Sequence, residues 1–525
     1  MNSFRTFLIN ITARFNNHLT PLILTVSAML VLLLMGISVS RIVYPFDVGH
    51  FEACVWTPAL LSAEGKNPYA YATQEPFVMA PYGYLYYLTV GVGLRLFGWQ
   101  FWFGRALTVI SAAACLLCIV RLSRELTERK SSLALGAMTF LTSLPLYHYL
   151  AVHRSDLPSL ALGFGAIALA FADRKNPLPT GRGTDSAALP TDLGTVPNSW
   201  PRTVLIIGLL VAAVFFKQTT VLPIAVVIAR YLQTGRFRQA VMVFSGVAVV
   251  GIGIAAALNL TSSGGYFWQH FVLMRQVPHS YQVSLKWLGS MFRSPSTWIA
   301  AGVIIAAIVR QVRPLSAGNS LATSRELLVR ALKSPEMLLL SYLAAAAGLA
   351  FVTSARSGSY INYYLEASIV LAVVVAMGWN WMAGIRHRRE IFLGIVTLFV
   401  LAAGLEFWRM ARAESYRWKS LGYYREVVET LKREVPPESL VVSVHPELAI
   451  ASGHQYHFGD FLQYIDGRSP ELRKVIADGF GSKRYGAVIW LTPEEPMLAR
   501  YRLVPMKSSV HEKHYPVYLY LAKPD

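Results

Sequence analysis

Apolar residues run along this chain in blocks of 14 to 21, separated by polar stretches. The first block, PLILTVSAMLVLLLMGISVS at 21–40, has the ~20 residues that a helix needs to cross the hydrocarbon core of a bilayer. No small-residue cleavage site follows it, so it predicts an anchored helix and not a removed signal. Ten more blocks, at 102–120, 131–150, 157–172, 203–216, 218–232, 240–259, 296–310, 335–353, 362–382 and 391–408, bring the predicted spans to eleven.

The polar connections fix an orientation. Arg5 and Arg14 precede the first block, and RLSRELTERK, the 173–202 linker, RYLQTGRFR, the 310–333 stretch and RHRRE are basic, whereas the intervening connections are poor in Lys and Arg. Basic loops face the cytoplasm, which predicts a cytoplasmic N-terminus and an external first loop at 41–101. Two segments strain this pattern. GYLYYLTVGVGLRLFG at 83–98 is apolar enough to cross, but a crossing there would place RLSRELTERK outside; it is read as a helix in the outer interface, its Tyr residues at headgroup level. The 202–232 stretch is read as two short helices meeting at Lys217 and Gln218 on the outer side. From 411 onward charge rises and helical and strand-like periods alternate, predicting a small extracytoplasmic α/β domain at 411–525 behind a transmembrane domain at 1–410. The fold class is therefore mainly α, a polytopic membrane helix bundle with an α/β appendix.

Composition agrees: 54% of residues are apolar and 15% charged, against about a quarter charged in soluble domains. The net charge of +19 is expected to cluster in loops on one side of the bilayer, and no nucleic-acid-binding pattern competes with membrane lipids as the partner. Of three cysteines, Cys115 and Cys118 lie one turn apart in an apolar helix and read as core residues. His454 and His457 read as surface histidines, since no further ligands are spaced to complete a metal site.

Sorting the ionisable residues by side gathers most of them outside: Asp47, His50 and Glu52 in the first loop; His148, His153, Arg154 and Asp156; Lys217 and Gln218; His270, Arg275 and His279; and Arg356, Asn362, Tyr363 and Glu366. Ionisable residues at membrane depth are costly and mark functional sites. Individually each has a plainer reading: Arg154 with Asp156 as an interfacial ion pair, Lys217 as a snorkelling lysine, Glu366 satisfied by a neighbouring helix. Their convergence is what counts.

YPFDVGHFE, LLSAEGKNPYAY, PYGYLYYL and LFGWQFWFGR, followed by FFKQTTVLPIAVVIARYLQTGRFRQA and SGSYINYYLEASIVLA, resemble the GT-C glycosyltransferases that use polyprenyl-phosphate sugars. That group contains protein O-mannosyltransferases, the lipid A aminoarabinose transferase and rhizobial core galacturonosyltransferases. The resemblance covers roughly residues 20–410. It implies an acidic residue after the first helix that serves as catalytic base or positions the acceptor, a place taken here by Asp47. The double acid of several relatives is absent, Val48 following Asp47, which leaves the division of labour between Asp47 and Glu52 open; from its place in the same loop His50 is the fallback base.

The chemistry leads to the same residues. Transfer of a sugar from a lipid phosphate to a hydroxyl needs a carboxylate for the acceptor proton and cations for the leaving phosphate. Asp47 meets the first need; Lys217, Arg275, Arg154 and Arg356 are candidates for the second. A monophosphate leaving group requires no metal, whereas a diphosphate donor would favour a divalent ion on Asp47, Glu52 and Asp156. The expectation is a glycosyltransferase of the bacterial plasma membrane that moves a hexosyl or pentosyl group to an acceptor the sequence leaves open. A transporter of lipid-linked glycans is the competing reading; the one-sided placement of the ionisable residues and the lack of an internal repeat count against it. A non-catalytic envelope scaffold is the third.

Overall fold

The computed structural model describes residues 25, 28–48, 52–72, 78–98, 100–127, 129–172, 200–273, 279–312, 334–356, 359–382, 385, 388–443, 445–457, 474, 478–482, 484–490, 498, 500–505 and 518–523. The chain opens with α1 (Ala28–Val43), α2 (Glu52–Ala63), α3 (Tyr84–Phe97), α4 (Trp102–Leu126), α5 (Lys130–Leu141), α6 (Leu144–Tyr149) and α7 (Asp156–Phe171). There follow α8 (Trp200–Phe216), α9 (Leu222–Gln233), α10 (Phe237–Thr261), α11 (Tyr281–Arg293), α12 (Pro295–Val312), α13 (Pro335–Ser354), α14 (Leu365–Trp381) and α15 (Arg388–Glu434). The last part holds β1 (Leu440–Ser443), α16 (Pro446–Ala451), β2 (Gln455–His457), β3 (Tyr485–Trp490), β4 (Tyr501–Leu503) and β5 (Tyr518–Ala522).

Each anticipated span contains helix among the described residues. By length and apolarity, five of the described helices suffice to cross a bilayer, or six if α11 and α12, bent by 78° at their junction, count as one. The anticipated 131–150 span is broken into α5 and α6, because Pro145 enters the first turn of α6 and cannot extend the preceding helix. The 218–232 span shrinks to α9, whose 12 residues rise only about 18 Å. At the centre stands α14, apolar on nearly every side beyond Glu366 in its first turn and buried along most of its length, as a helix without a polar face must be. It packs on α4, α5, α12 and α13, while α7 packs on α4, α8 and α9.

The change of composition near 411 involves no break in the backbone: α15 runs for 47 residues, about 70 Å, from the bundle into the α/β part. There Tyr423, Tyr424, Val427, Val428 and Leu431 cover one face of a five-stranded sheet of order β2-β1-β3-β5-β4. β2, β1 and β3 are parallel, and β5 and β4 antiparallel to their neighbours. Alternation along the strands sends Val441, Ala487, Ile489 and Leu519 toward α15 and Val442, Val488 and Tyr520 to the other face. The cluster under α15 also takes in Tyr44, Phe46, Val48 and Val152, so the α/β part rests directly on the loops that follow α1 and α6.

Candidate active site

Asp47 lies in the loop after α1, partly exposed. Its Oδ2 accepts from the Glu52 backbone N–H at 3.1 Å, and Glu52 Oε2 in return accepts from the Val48 N–H at 2.7 Å. Glu52 itself is wholly buried. Arg105 on α4 grips it through both oxygens, Nε to Oε1 at 3.0 Å and Nη2 to Oε2 at 2.6 Å, and the His153 N–H adds a bond to Oε1 at 2.5 Å. Burial pushes the Glu52 carboxyl up, but the Arg105 guanidinium and these bonds outweigh it and hold the group down at about 2. Glu52, which the sequence offers beside Asp47, is thus sealed from solvent with both carboxylate oxygens engaged.

The same loop is held from the far side by α15. Arg41, at the end of α1, pairs with Glu414 at 2.8 Å and donates to the carbonyls of Tyr147 and Leu150 at 3.1 and 2.5 Å. Arg417 pairs with Glu414 and donates to Val48 O at 2.9 Å, while Trp418 donates to Ser40 Oγ at 2.8 Å.

A second group forms where α7 begins, α8 ends and the turn before α14 lies. Lys217 Nζ pairs with Asp156 Oδ1, to which Asn362 also donates at 2.7 Å. The Lys217 ammonium stands 4.7 Å from the centre of the Tyr363 ring. Asp156 is 2% exposed and its Oδ2 has no hydrogen-bond partner among the described residues. These residues line one pocket with Glu366, Thr219 and Thr220; Tyr342 donates to Glu366 at 2.7 Å from the adjoining α13. Arg154, also buried, donates to Tyr82 Oη at 3.2 Å and lies in the electrostatic field of both Asp156 and Asp47. It thus stands between the two groups.

The structure brings Asp47, Arg154, Asp156, Lys217, Asn362, Tyr363 and Glu366 to one end of the bundle. Gln218 turns aside, its amide 3.1 Å from His270 Nε2 in a cluster with Tyr69 and Tyr266. Arg356 does not line the pocket; its backbone bridges to His279. His50 and Arg275 lie outside the described residues. His454, anticipated at the surface, is buried and bonded to Ser452 Oγ at 2.8 Å and Val435 O at 3.1 Å, which makes it part of the fold. Among the described residues no group of three or more His, Cys, Asp or Glu is placed to hold a metal. Sequence reasoning missed Arg105, Tyr82 and Arg41. Arg105 had a signal, a cation inside an apolar block; Tyr82 was indistinguishable from its neighbours in PYGYLYYL.

Beside this end, α3, α8 and α10 leave an apolar groove of about 440 Å³ lined by Tyr84, Leu85, Ile207, Val211, Phe215 and Ile254. It reaches Phe215, two residues before Lys217.

No protein-family model matches the sequence, and no curated protein matches it. Among solved structures the chain superposes on ArnT from Cupriavidus metallidurans in the apo state with a TM-score of 0.61 at 12% identity, over 95% of this chain and 99% of that one. It superposes on the same protein bound to undecaprenyl phosphate with a TM-score of 0.60, at the same identity and coverage. The chain thus shares the fold of ArnT.

Proposed function

We propose that the protein is an inverting glycosyltransferase that moves a hexosyl or pentosyl group from a polyprenyl-phosphate donor to a hydroxyl acceptor at the outer face of a bacterial plasma membrane. The reading rests above all on the meeting of Asp156, Lys217, Asn362, Tyr363 and Glu366 at one pocket, with Arg154 linking it electrostatically to Asp47. Ionisable residues gathered at membrane depth mark a functional site by default.

In this mechanism Asp47, the most accessible carboxylate of the group, takes the acceptor's proton as its oxygen bonds to the anomeric carbon. The bond from that carbon to the phosphate oxygen breaks, and the lipid phosphate leaves with the electron pair. Arg154 and Lys217 stabilise the charge that develops on it, so a monophosphate donor needs no metal. The pocket, about 20 Å³, has room for about one water; the sugar therefore sits at its mouth. The groove between α3, α8 and α10 takes the hydrocarbon chain, as suits a fold whose relative ArnT was crystallised bound to undecaprenyl phosphate. Domain 1–410 carries the chemistry, and the 411–525 part, continuous with it through α15, covers the site from outside.

Asp47→Asn keeps the shape and removes the proton acceptor. Purified protein given radiolabelled undecaprenyl-phosphate sugars should retain label on an acceptor, and the variant should lose about 100-fold or more of that turnover. Turnover above half of wild type would remove Asp47 as the base. Lipid binding without any transfer by the wild type would favour a transporter or scaffold.

A further inference from the structure

Asp47 stands in the loop after α1, Arg154 in the loop before α7 and Asp156 at the first position of α7; no local sequence tie sets the distance between them. A single buried carboxylate does. Glu52 Oε2 accepts from the N–H of Val48, next to Asp47, and Oε1 from the N–H of His153, next to Arg154. Arg105 completes the junction. Its Nη1 donates to the carbonyls of Arg41 and Tyr44 at 2.6 and 2.5 Å, and its Nη2 to that of Phe46 at 2.5 Å. With the two bonds to Glu52, all five guanidinium hydrogens are used. One turn further along α4, Thr108 Oγ1 donates to Val152 O at 2.9 Å.

The second loop bears the mark of this grip. Ala151, fully buried, is held at φ 54°, in the left-handed region that a residue with a Cβ avoids. Such a conformation persists only where its surroundings over-determine it. Here the bonds from Arg41 to Leu150 O, from Thr108 to Val152 O and from the His153 N–H to Glu52 Oε1 enclose it on both sides.

From this geometry we infer that Glu52, Arg105 and Thr108 are positioning residues: they brace the two loops at a fixed spacing, so that base and phosphate-holding cations meet across the reacting centre. The inference rests on the proposed role of Asp47. A lysine at 105 has three donors and no planar fork and cannot reproduce the junction, whereas Thr108→Val keeps the shape and deletes one bond.

The brace is tested with Arg105→Lys, Glu52→Gln and Thr108→Val beside Asp47→Asn. Binding of bare undecaprenyl phosphate, turnover of a panel of undecaprenyl-phosphate sugars and thermal unfolding are measured on each purified protein. A spin-label pair at Pro45 and His148, both exposed, reports the spacing of the loops through its dipolar coupling in a background freed of Cys54, Cys115 and Cys118. The expected result is lipid binding within about 2-fold of wild type, while turnover falls with KM unchanged, by about 100-fold for Arg105→Lys, the effect of a misplacement near 1 Å, and less for Thr108→Val. The label distances should broaden in step. Thr108→Val serves if the charge variants fail to fold. Folded variants with wild-type turnover and unbroadened distances would overturn the brace, as would loss of lipid binding in proportion to turnover. Full turnover in Asp47→Asn alone would sink the base and not the brace; if no donor in the panel is used, the label distances decide.

Discussion

Lys217 shows how a side chain's partners change its meaning. In sequence it is a cation between two apolar blocks, as compatible with snorkelling as with binding; in the fold it is 7% exposed and paired with Asp156. Deleting its charge therefore does two things. Lys217→Met leaves Asp156 without its counter-ion, at a cost of about 3–5 kcal/mol when a buried pair is broken, and removes a cation from the phosphate. Asp156→Asn added to Lys217→Met takes away the orphaned charge. Thermal unfolding with and without undecaprenyl phosphate should show the single variant destabilised and the double variant recovering much of the loss, with weak lipid binding and low turnover in both. Full lipid affinity in the double variant would return Lys217 to a structural role.

Among the elements, the join of α3 to α8 places the site most directly. Gly83 caps α3 with extended backbone, and its N–H reaches Phe216 O at 3.3 Å. A Cβ there would lie 2.0 Å from Phe215 O. Gly83→Ala must drive the chain that carries Tyr82 away from the end of α8 that carries Lys217. Overpacking of this kind costs about 1–3 kcal/mol, and the expected outcome is a lower unfolding temperature together with reduced turnover. An unchanged melting point and rate would show that the two ends are not coupled. The helices themselves were legible from apolar blocks, but the continuity of α15 was not: its sequence turns from apolar to charged near 410 while its helical period runs on, so a change of solvent resembles a change of domain.

At the scale of the whole molecule the alternation of basic and neutral loops predicts which end is outside. A cysteine at Ser415, exposed on α15, should react with a membrane-impermeant thiol reagent in intact cells lacking competing thiols on the protein. One at Ser186, in the basic linker, should react only after permeabilisation. The reverse pattern would invert the orientation and move the site to the cytoplasmic face.

Hydrophobic patterning by itself determined the membrane bundle and the α/β appendix, because each follows from the solvent that a stretch of chain must face. It also drew the pool of site residues, since a charge at membrane depth is conspicuous in any apolar run. Only the tertiary structure decided which of these share a pocket and which are sealed away. Asp47 and Glu52 differ in sequence by one methylene and five positions, yet one is partly open and the other is sealed by Arg105; Lys217 and Gln218 are neighbours, yet face the pocket and the Tyr69 cluster respectively. These outcomes depend on partners brought from 52 to 206 positions away, and a residue's sequence neighbourhood carries no record of what the fold will set against it.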